Sequence, residues 1–149
     1  MEDPEDTHDL KFLGVHFDPK LKWNSHVDSV ACNLTKNIFL LRSLSCCVNG
    51  ETLKKAYHSL VECHLRYCVL VWGNCAGRDR IFALQRRALR VVAGIGYRDD
   101  CREKFIELKI FTFPSLFIYE CLLYAYNNYK TFSKNGDTHE YNTRTREDI

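Results

Sequence analysis

The segment of residues 10–26 constrains the fold of this chain most, because its hydrophobic period changes there from two to about 3.6. Apolar side chains alternate over Gly14–Phe17, which is typical of a half-buried strand. The pair Asp18-Pro19 has turn chemistry, since proline presets φ and aspartate can accept a hydrogen bond from the backbone ahead of it. No other segment has a strand pattern. We therefore expect one short strand that has no partner and is poorly anchored.

Apolar side chains recur at helical spacing over the rest of the chain. Ser25 and Asp28 have the spacing of a cap for the first helix, and Asp79 precedes the third. Gly73 and Gly77 frame a loop in which we expect left-handed backbone. The predicted fold class is mainly α, a bundle of about four to five helices preceded by a single short strand, with helical patterns over residues 27–44, 53–72, 79–92, 101–108 and 114–128.

The composition is that of one ordinary domain, with 46% apolar and 27% charged residues in a chain of 149. We assign residues 10–132 to the helical domain, residues 1–9 to a disordered acidic tail and residues 133–149 to an irregular tail. No run reaches the roughly 18 apolar residues of a membrane span. The acidic start is unlike a signal peptide. We therefore expect an intracellular protein, nuclear or cytoplasmic, with no membrane partner and with reduced cysteines.

The third helix is the strongest candidate for a binding surface. Residues 78–104 carry eight Lys or Arg against four acidic residues. Arginine pairs recur at helical spacing within this segment, and such a face is able to bind phosphates. The alternative interpretation is a solvated charged face. The candidate phosphate ligands are Arg80, Arg86, Arg87 and Arg90.

The tetrapeptide Tyr97-Arg98-Asp99-Asp100 has the Tyr-x-Asp-Asp pattern of a metal-binding turn for nucleotidyl transfer. Such a turn joins two apolar strands and needs a third carboxylate, for which Asp18 is the candidate. Here Ala-Gly-Ile-Gly precedes the motif and Cys-Arg-Glu-Lys-Phe follows it. We therefore interpret Asp100, with Glu103, as a helix cap.

The eight cysteines include the pair Cys63-His64, with Cys68 close by, which are ligand types for zinc. There is no C-x-x-C pair and no H-x3-H pair, so the spacing does not fit the common zinc sites. Cysteines within an apolar helix act as small hydrophobic residues. We predict no metal site, and we interpret His26 as a helix-start residue.

Aromatic residues are dense from Phe111 to Tyr129 and could stack on bases. Their spacing is irregular, so we predict that they pack in the core. The same interpretation applies to Trp23 and Trp72 as core anchors.

Several separated blocks occur in a fixed order over residues 10–146. The blocks are Leu13-Gly14-Val15 with Asp18, Lys20-Leu21, Trp23 and His26; Tyr67 ahead of Val71-Trp72-Gly73; Leu84-Gln85-Arg86-Arg87-Ala88-Leu89-Arg90; Cys101-Arg102 with Phe105; Leu108–Leu116; and His139-x-Tyr141-Asn142-Thr143-Arg144. Together they make the chain similar to the region after the catalytic palm in non-LTR (LINE-type, Jockey-like) retrotransposon reverse transcriptases. No single block is specific, but their order is.

This resemblance implies the thumb-side part of an RNA-directed DNA polymerase, which has no catalytic residues of its own. It implies that Leu13, Gly14 and Val15 belong to a primer-grip-like strand. Mg²⁺ would belong to the palm upstream, so no cofactor is expected here. The implied partners are that palm and the backbone of an RNA–DNA or DNA duplex. Two alternatives stay open: a structural or protein-interaction module with possible self-association, and a transposon relic without function.

Overall fold

A computed structural model of the chain describes residues 9–133 and confirms that the fold is mainly helical. The predicted tail of residues 133–149 lies outside the described residues except for Ser133, as does the acidic tail except for Asp9. The elements, in chain order, are β1 (Leu10–Phe12), β2 (Val15–Phe17), α1 (Asn24–Ser45), α2 (Gly50–Tyr57), a π-helical segment (His58–Glu62), α3 (Cys63–Arg66), α4 (Val69–Trp72), α5 (Arg78–Ala93), α6 (Arg102–Glu107), α7 (Phe113–Asn128) and a 3₁₀ turn (Tyr129–Thr131).

The predicted lone strand is in fact a hairpin. β1 pairs antiparallel with β2, so that Leu10 lies opposite Phe17 and Phe12 opposite Val15. Both residues of the intervening turn have positive φ, 47° at Leu13 and 81° at Gly14. This is the backbone twist that two-residue hairpin loops need. The partner strand was missed because Leu-Gly is a weaker turn signal than Asn-Gly.

The hairpin is also well anchored, so the expectation of a poorly held strand is wrong. Val15 is only 3% exposed and belongs to the core. The Tyr67 hydroxyl donates a hydrogen bond to the Leu13 carbonyl. At the other end of the hairpin, the Ser25 hydroxyl donates to the carboxylate of Asp9. Tyr67, just after α3, and Ser25, in the first turn of α1, therefore hold the turn and the start of the hairpin.

The predicted cap of α1 is wrong, because Ser25 is engaged by Asp9 rather than by the helix N-terminus. α1 follows Trp23, which has a left-handed backbone (φ 66°), and no side chain caps the helix. α5 likewise has no side-chain cap: it starts after Gly77, and Asp79 lies within its first turn. Its C-terminus agrees with expectation, since Gly94 takes the left-handed conformation (φ 64°) that ends helices.

The core forms where α1 packs against α5. Leu34 and Leu41 of α1 and Ile81 and Leu89 of α5 are almost fully buried, as their helical spacing predicts. The two tryptophans are buried as well, which confirms them as core residues. Trp72 stacks on Phe113 with 5.4 Å between the ring centroids.

The second predicted helix is interrupted between α3 and α4. Cys68 has a left-handed backbone (φ 51°) there, and the Trp72 indole donates a 2.9 Å hydrogen bond to the carbonyl of Tyr67. Left-handed backbone was expected instead at Gly73 and Gly77, but their φ values are −63° and −80°. Position 73 requires glycine because there is no room for a side chain: a Cβ there would lie 2.7 Å from the Phe117 ring.

The chain divides into two compact units, with the boundary between Phe117 and Ile118. In the first unit, Phe113 and Leu116 of α7 are buried. In the second unit the aromatic side chains are exposed, which corrects the prediction that they pack in the core: Tyr124 is 53% exposed, Tyr126 77% and Tyr129 53%. Among the described helices, none is both long enough and apolar enough to span a membrane.

Candidate nucleic-acid interface

Helix α5 carries the four arginines predicted to bind phosphates. Its inward positions are apolar and buried, which forces the arginines toward its outer faces. One inward position is polar: Gln85 is 1% exposed. The Gln85 amide nitrogen donates to the Tyr57 hydroxyl (3.0 Å) and to the Phe111 carbonyl (2.8 Å), and its oxygen accepts from the Phe113 N–H (2.7 Å). Gln85 thus fixes α5 against α2 and against the start of α7.

Burial of Tyr57 raises the pKa of its hydroxyl, and the hydrogen bond from Gln85 opposes that rise. Tyr57 therefore stays neutral and accepts from the amide. Sequence analysis missed this pair, because a glutamine beside an apolar stripe is usually solvated.

The four arginines face two different depressions. Arg86 and Arg90 line a groove of about 350 Å³ between α5 and α6. Arg80 and Arg87 line a depression of about 450 Å³ beside α1. The reason is helical geometry, because residues four or seven apart share a face and adjacent residues do not.

In the groove between α5 and α6, two arginines are already positioned. The Arg86 guanidinium lies 4.9 Å from the centroid of the Phe82 ring, in a cation–π contact. Arg90 Nε donates a 2.9 Å hydrogen bond to the Asp99 carbonyl. A third arginine, Arg102 of α6, lines the same groove. Arg102 lies within the basic segment of residues 78–104 but is not among the four predicted phosphate ligands.

In the depression beside α1, Arg80 forms an ion pair with Asp28 of α1. Both side chains are more than half exposed, so this pair contributes little to stability. Arg87 differs, because its Nε is buried and has no hydrogen-bond partner among the described residues. Tyr97 and Thr35 line the same depression. A buried guanidinium N–H without a partner calls for an acceptor.

The Tyr97–Asp100 motif lies in the loop between α5 and α6, without flanking strands. The Asp99 carboxylate accepts from the Gly96 N–H (2.7 Å), and the Asp100 carboxylate accepts from the Arg102 N–H (3.1 Å). The Asp100 carboxylate therefore satisfies a backbone donor at the start of α6, but the N-cap of this helix is Cys101 and no side chain caps it, so the predicted capping pair of Asp100 and Glu103 is wrong. Asp18 accepts from the backbone of Trp23 (3.3 Å).

The eight cysteines all lie within the described residues, and their thiols are free. Cys75 and Cys101 are buried, and Cys63 and Cys68 are exposed. Over residues 9–133, no group of three or more His, Cys, Asp or Glu side chains is arranged to hold a metal ion.

The three primer-grip-like residues do not share one surface. Leu13 is 73% exposed at the tip of the hairpin, whereas Val15 is buried in the core. Gly14 has open space where a Cβ would be, and its positive φ makes it a turn residue. Of these three residues, only Leu13 and the backbone of Gly14 are exposed to a partner.

His26 is 3% exposed, which agrees with a role at the start of α1 rather than as a base. Its Nδ1 accepts from the His16 N–H at 3.5 Å, and its ring lies edge-on to Trp72 at 5.1 Å. Burial, and then the neighbouring His16, lower the pKa of His26. The imidazole is therefore a neutral core group.

Comparison with known proteins finds no matching family model, no similar curated protein and no similar solved structure.

Proposed function

We propose that this chain is the thumb-side region of a non-LTR retrotransposon RNA-directed DNA polymerase and that it contacts the backbone of the template–primer duplex. The ordered sequence blocks support the family, and α5 supports the activity. We place the protein in the nucleus or cytoplasm, where such a duplex occurs. Catalysis and its Mg²⁺ belong in this proposal to a palm upstream.

The observation that carries the proposal is that Arg80 and Arg87 line one depression beside α1 and that the Arg87 Nε has no hydrogen-bond partner among the described residues. A phosphate oxygen is the acceptor that guanidinium groups bind best, because the planar fork matches its geometry. Arg80 is available beside it, since its pair with Asp28 is exposed and weak. Arg86 and Arg90 lie on the adjacent face of α5 and extend the cationic surface.

Contacts of this kind position a duplex without reading its sequence. Binding should therefore be equally strong for unrelated sequences and should fall steeply with salt. The log–log slope is expected to decrease by about 0.9 per phosphate contact removed. The experiment is a salt titration by fluorescence anisotropy with a blunt RNA–DNA hybrid, for the full chain and for R86A/R87A/R90A.

The matched control is K36A/R42A/K55A, which removes the same charge from exposed positions on α1 and α2. We expect the slope of log binding constant against log salt concentration to be flatter for the α5 variant than for the native chain. The slope of the control should change little. Equal slopes in the two variants would contradict the proposal.

A second candidate function, a self-associating helical module, is favoured by the exposed apolar surface of α7 and the turn after it. We call this surface the α7 stripe; it consists of Ile118, Leu122, Tyr126, Tyr129 and Phe132, which are 56%, 65%, 77%, 53% and 37% exposed. A depression of about 530 Å³ is lined by four of these residues, namely Leu122, Tyr126, Tyr129 and Phe132. None of the five side chains is charged, and the nearby Lys130 ammonium lies 5.9 Å from the centroid of the Tyr129 ring.

The five side chains leave on the order of 500 Å² exposed per copy, given that a large side chain covers about 150–250 Å². Two copies would bury about 1,000 Å², the lower limit for a specific interface. Sedimentation over a concentration series tests this candidate. We expect a weak dimer that L122E/Y126E abolishes and that N127D, at an exposed position outside the stripe, retains. A monomer at every concentration would reject it.

A further inference from the structure

Three arginines line the groove between α5 and α6. Arg86 and Arg90 come from α5, and Arg102 comes from the first turn of α6. Asp100 is the carboxylate that lines the same groove, and it already accepts from the Arg102 backbone. Cationic groups therefore outnumber anionic groups, and the groove favours an anion.

The two arginines of α5 are held in place while most of their donors stay available. Arg86 is held by its cation–π contact with the Phe82 ring, a contact that uses none of its N–H groups as hydrogen-bond donors. Arg90 uses Nε for the Asp99 carbonyl. Since a guanidinium has about five N–H donors, about four remain. Fixed donors lose little conformational entropy when they bind a phosphate.

The groove also has an apolar side, which a phosphate alone would leave unused. Phe82, Phe105 and Ile106 line it beside the arginines. Ile106 is 80% exposed, so an occupant could cover it. The cavity of about 350 Å³ has room for more than a single anion. The chemistry that fits both sides is a phosphate joined to a flat, weakly polar ring.

We infer that this groove binds one unpaired nucleotide, with the phosphate at Arg86, Arg90 and Arg102 and the base over the exposed side chain of Ile106. The inference rests on the proposed function, because it specifies which part of a nucleic acid lies at this face of α5. It adds Arg102 and Ile106, which duplex-backbone binding does not require.

The first experiment compares adenosine 5′-monophosphate with ribose 5-phosphate by NMR titration of the full chain. We expect the nucleotide to bind several-fold tighter, because only it has a base to cover the apolar side. R102A should weaken both ligands by about tenfold, as loss of a charge-assisted hydrogen bond predicts. I106S should weaken the nucleotide and spare ribose 5-phosphate. R98A, an exposed arginine of the same loop outside the groove lining, is the control and should change neither.

Equal affinities for the two ligands would overturn the inference, and so would absence of binding at millimolar concentration. Displacement of the nucleotide by an acidic peptide at equal concentration would also overturn it, since the groove would then recognise charge alone.

A second experiment separates this inference from the proposed function. It compares a blunt duplex with one that has a single unpaired nucleotide, at one salt concentration. We expect the unpaired nucleotide to improve binding by several-fold in the native chain and not in R102A/I106S, which should still bind the blunt duplex. Equal binding of both duplexes would contradict the inference that the groove binds an unpaired nucleotide, but it would not contradict the proposed function. Nucleotide binding without any blunt-duplex binding overturns the proposed function and supports the groove.

Discussion

The Gln85 amide donates a 3.0 Å hydrogen bond to the Tyr57 hydroxyl, and the two side chains are 1% and 0% exposed. The same amide group bonds the Phe111 carbonyl and the Phe113 N–H. One polar side chain therefore joins α5, α2 and the start of α7 inside an apolar core. The orientation of the arginine helix depends on it.

Replacing Gln85 by leucine should destabilise the protein strongly. The substitution leaves three polar groups without their partner, and a buried unsatisfied group costs about 1–3 kcal/mol. We expect a loss of about 2–4 kcal/mol in the free energy of unfolding, measured by urea denaturation. Y57F is the graded control: it removes only one of the three bonds and should cost about 1 kcal/mol. If Q85L were as stable as Y57F, the hydrogen bonds of Gln85 to Phe111 and Phe113 would not contribute to the stability of the fold.

His26 should make the protein less stable in mild acid. Its folded-state pKa lies below the ordinary value of 6.5, so below that pH the unfolded chain binds a proton that the folded chain excludes. The contribution of neutral His26 to the free energy of unfolding is therefore fully present above pH 6.5. It falls as the pH decreases from there, by at most about 1.4 kcal/mol per pH unit for one proton.

The measurement is urea denaturation between pH 5 and 7, above the range in which carboxylates titrate. H26Q should flatten the profile of the free energy of unfolding against pH relative to that of the native chain. An identical slope in the native chain and H26Q would exclude His26 as the source.

Gly73 should not tolerate even a methyl group. A Cβ there would lie 2.6 Å from the Val69 carbonyl oxygen and 2.7 Å from the Phe117 ring. We expect G73A to lower the melting temperature, at a cost of about 1–3 kcal/mol. Gly50 is the matched control, because a Cβ there meets open space at the start of α2. G50A should be neutral or stabilising by up to about 1 kcal/mol. Similar effects at both positions would contradict the steric argument.

The hairpin turn should improve when its first residue is replaced by asparagine. Leu13 has positive φ and is 73% exposed, so leucine strains the backbone there and contributes little packing. Asparagine tolerates this conformation and is favoured in two-residue hairpin loops. We expect L13N to stabilise by about 0.5–1 kcal/mol and G14A to destabilise by about 1 kcal/mol in thermal unfolding. A destabilised L13N would show that the leucine side chain has a packing role.

Local periodicity predicted much of the helical framework. The apolar positions of α1 and α5 and the end of α5 at Gly94 agree with expectation, because side-chain spacing and left-handed glycine act within a few residues. The four α5 arginines could be named for the same reason. The division of these arginines between two depressions also follows from helical spacing. The residues from other segments that lie beside them cannot be predicted in this way. Arg102 joins Arg86 only because the chain reverses between α5 and α6.

The sequence by itself determined where most of the helical segments lie, which faces of α1 and α5 are apolar and where the positive charge is concentrated. The tertiary structure alone decided four further matters. They are the pairing of β2 with β1, the burial of Gln85 and His26, the position of Arg102 beside Arg86 and Arg90, and the exposure of the α7 stripe. Each of these depends on contacts between segments that chain reversal brings together. A period of two or 3.6 residues is a property of one segment, so it carries no information about its partner.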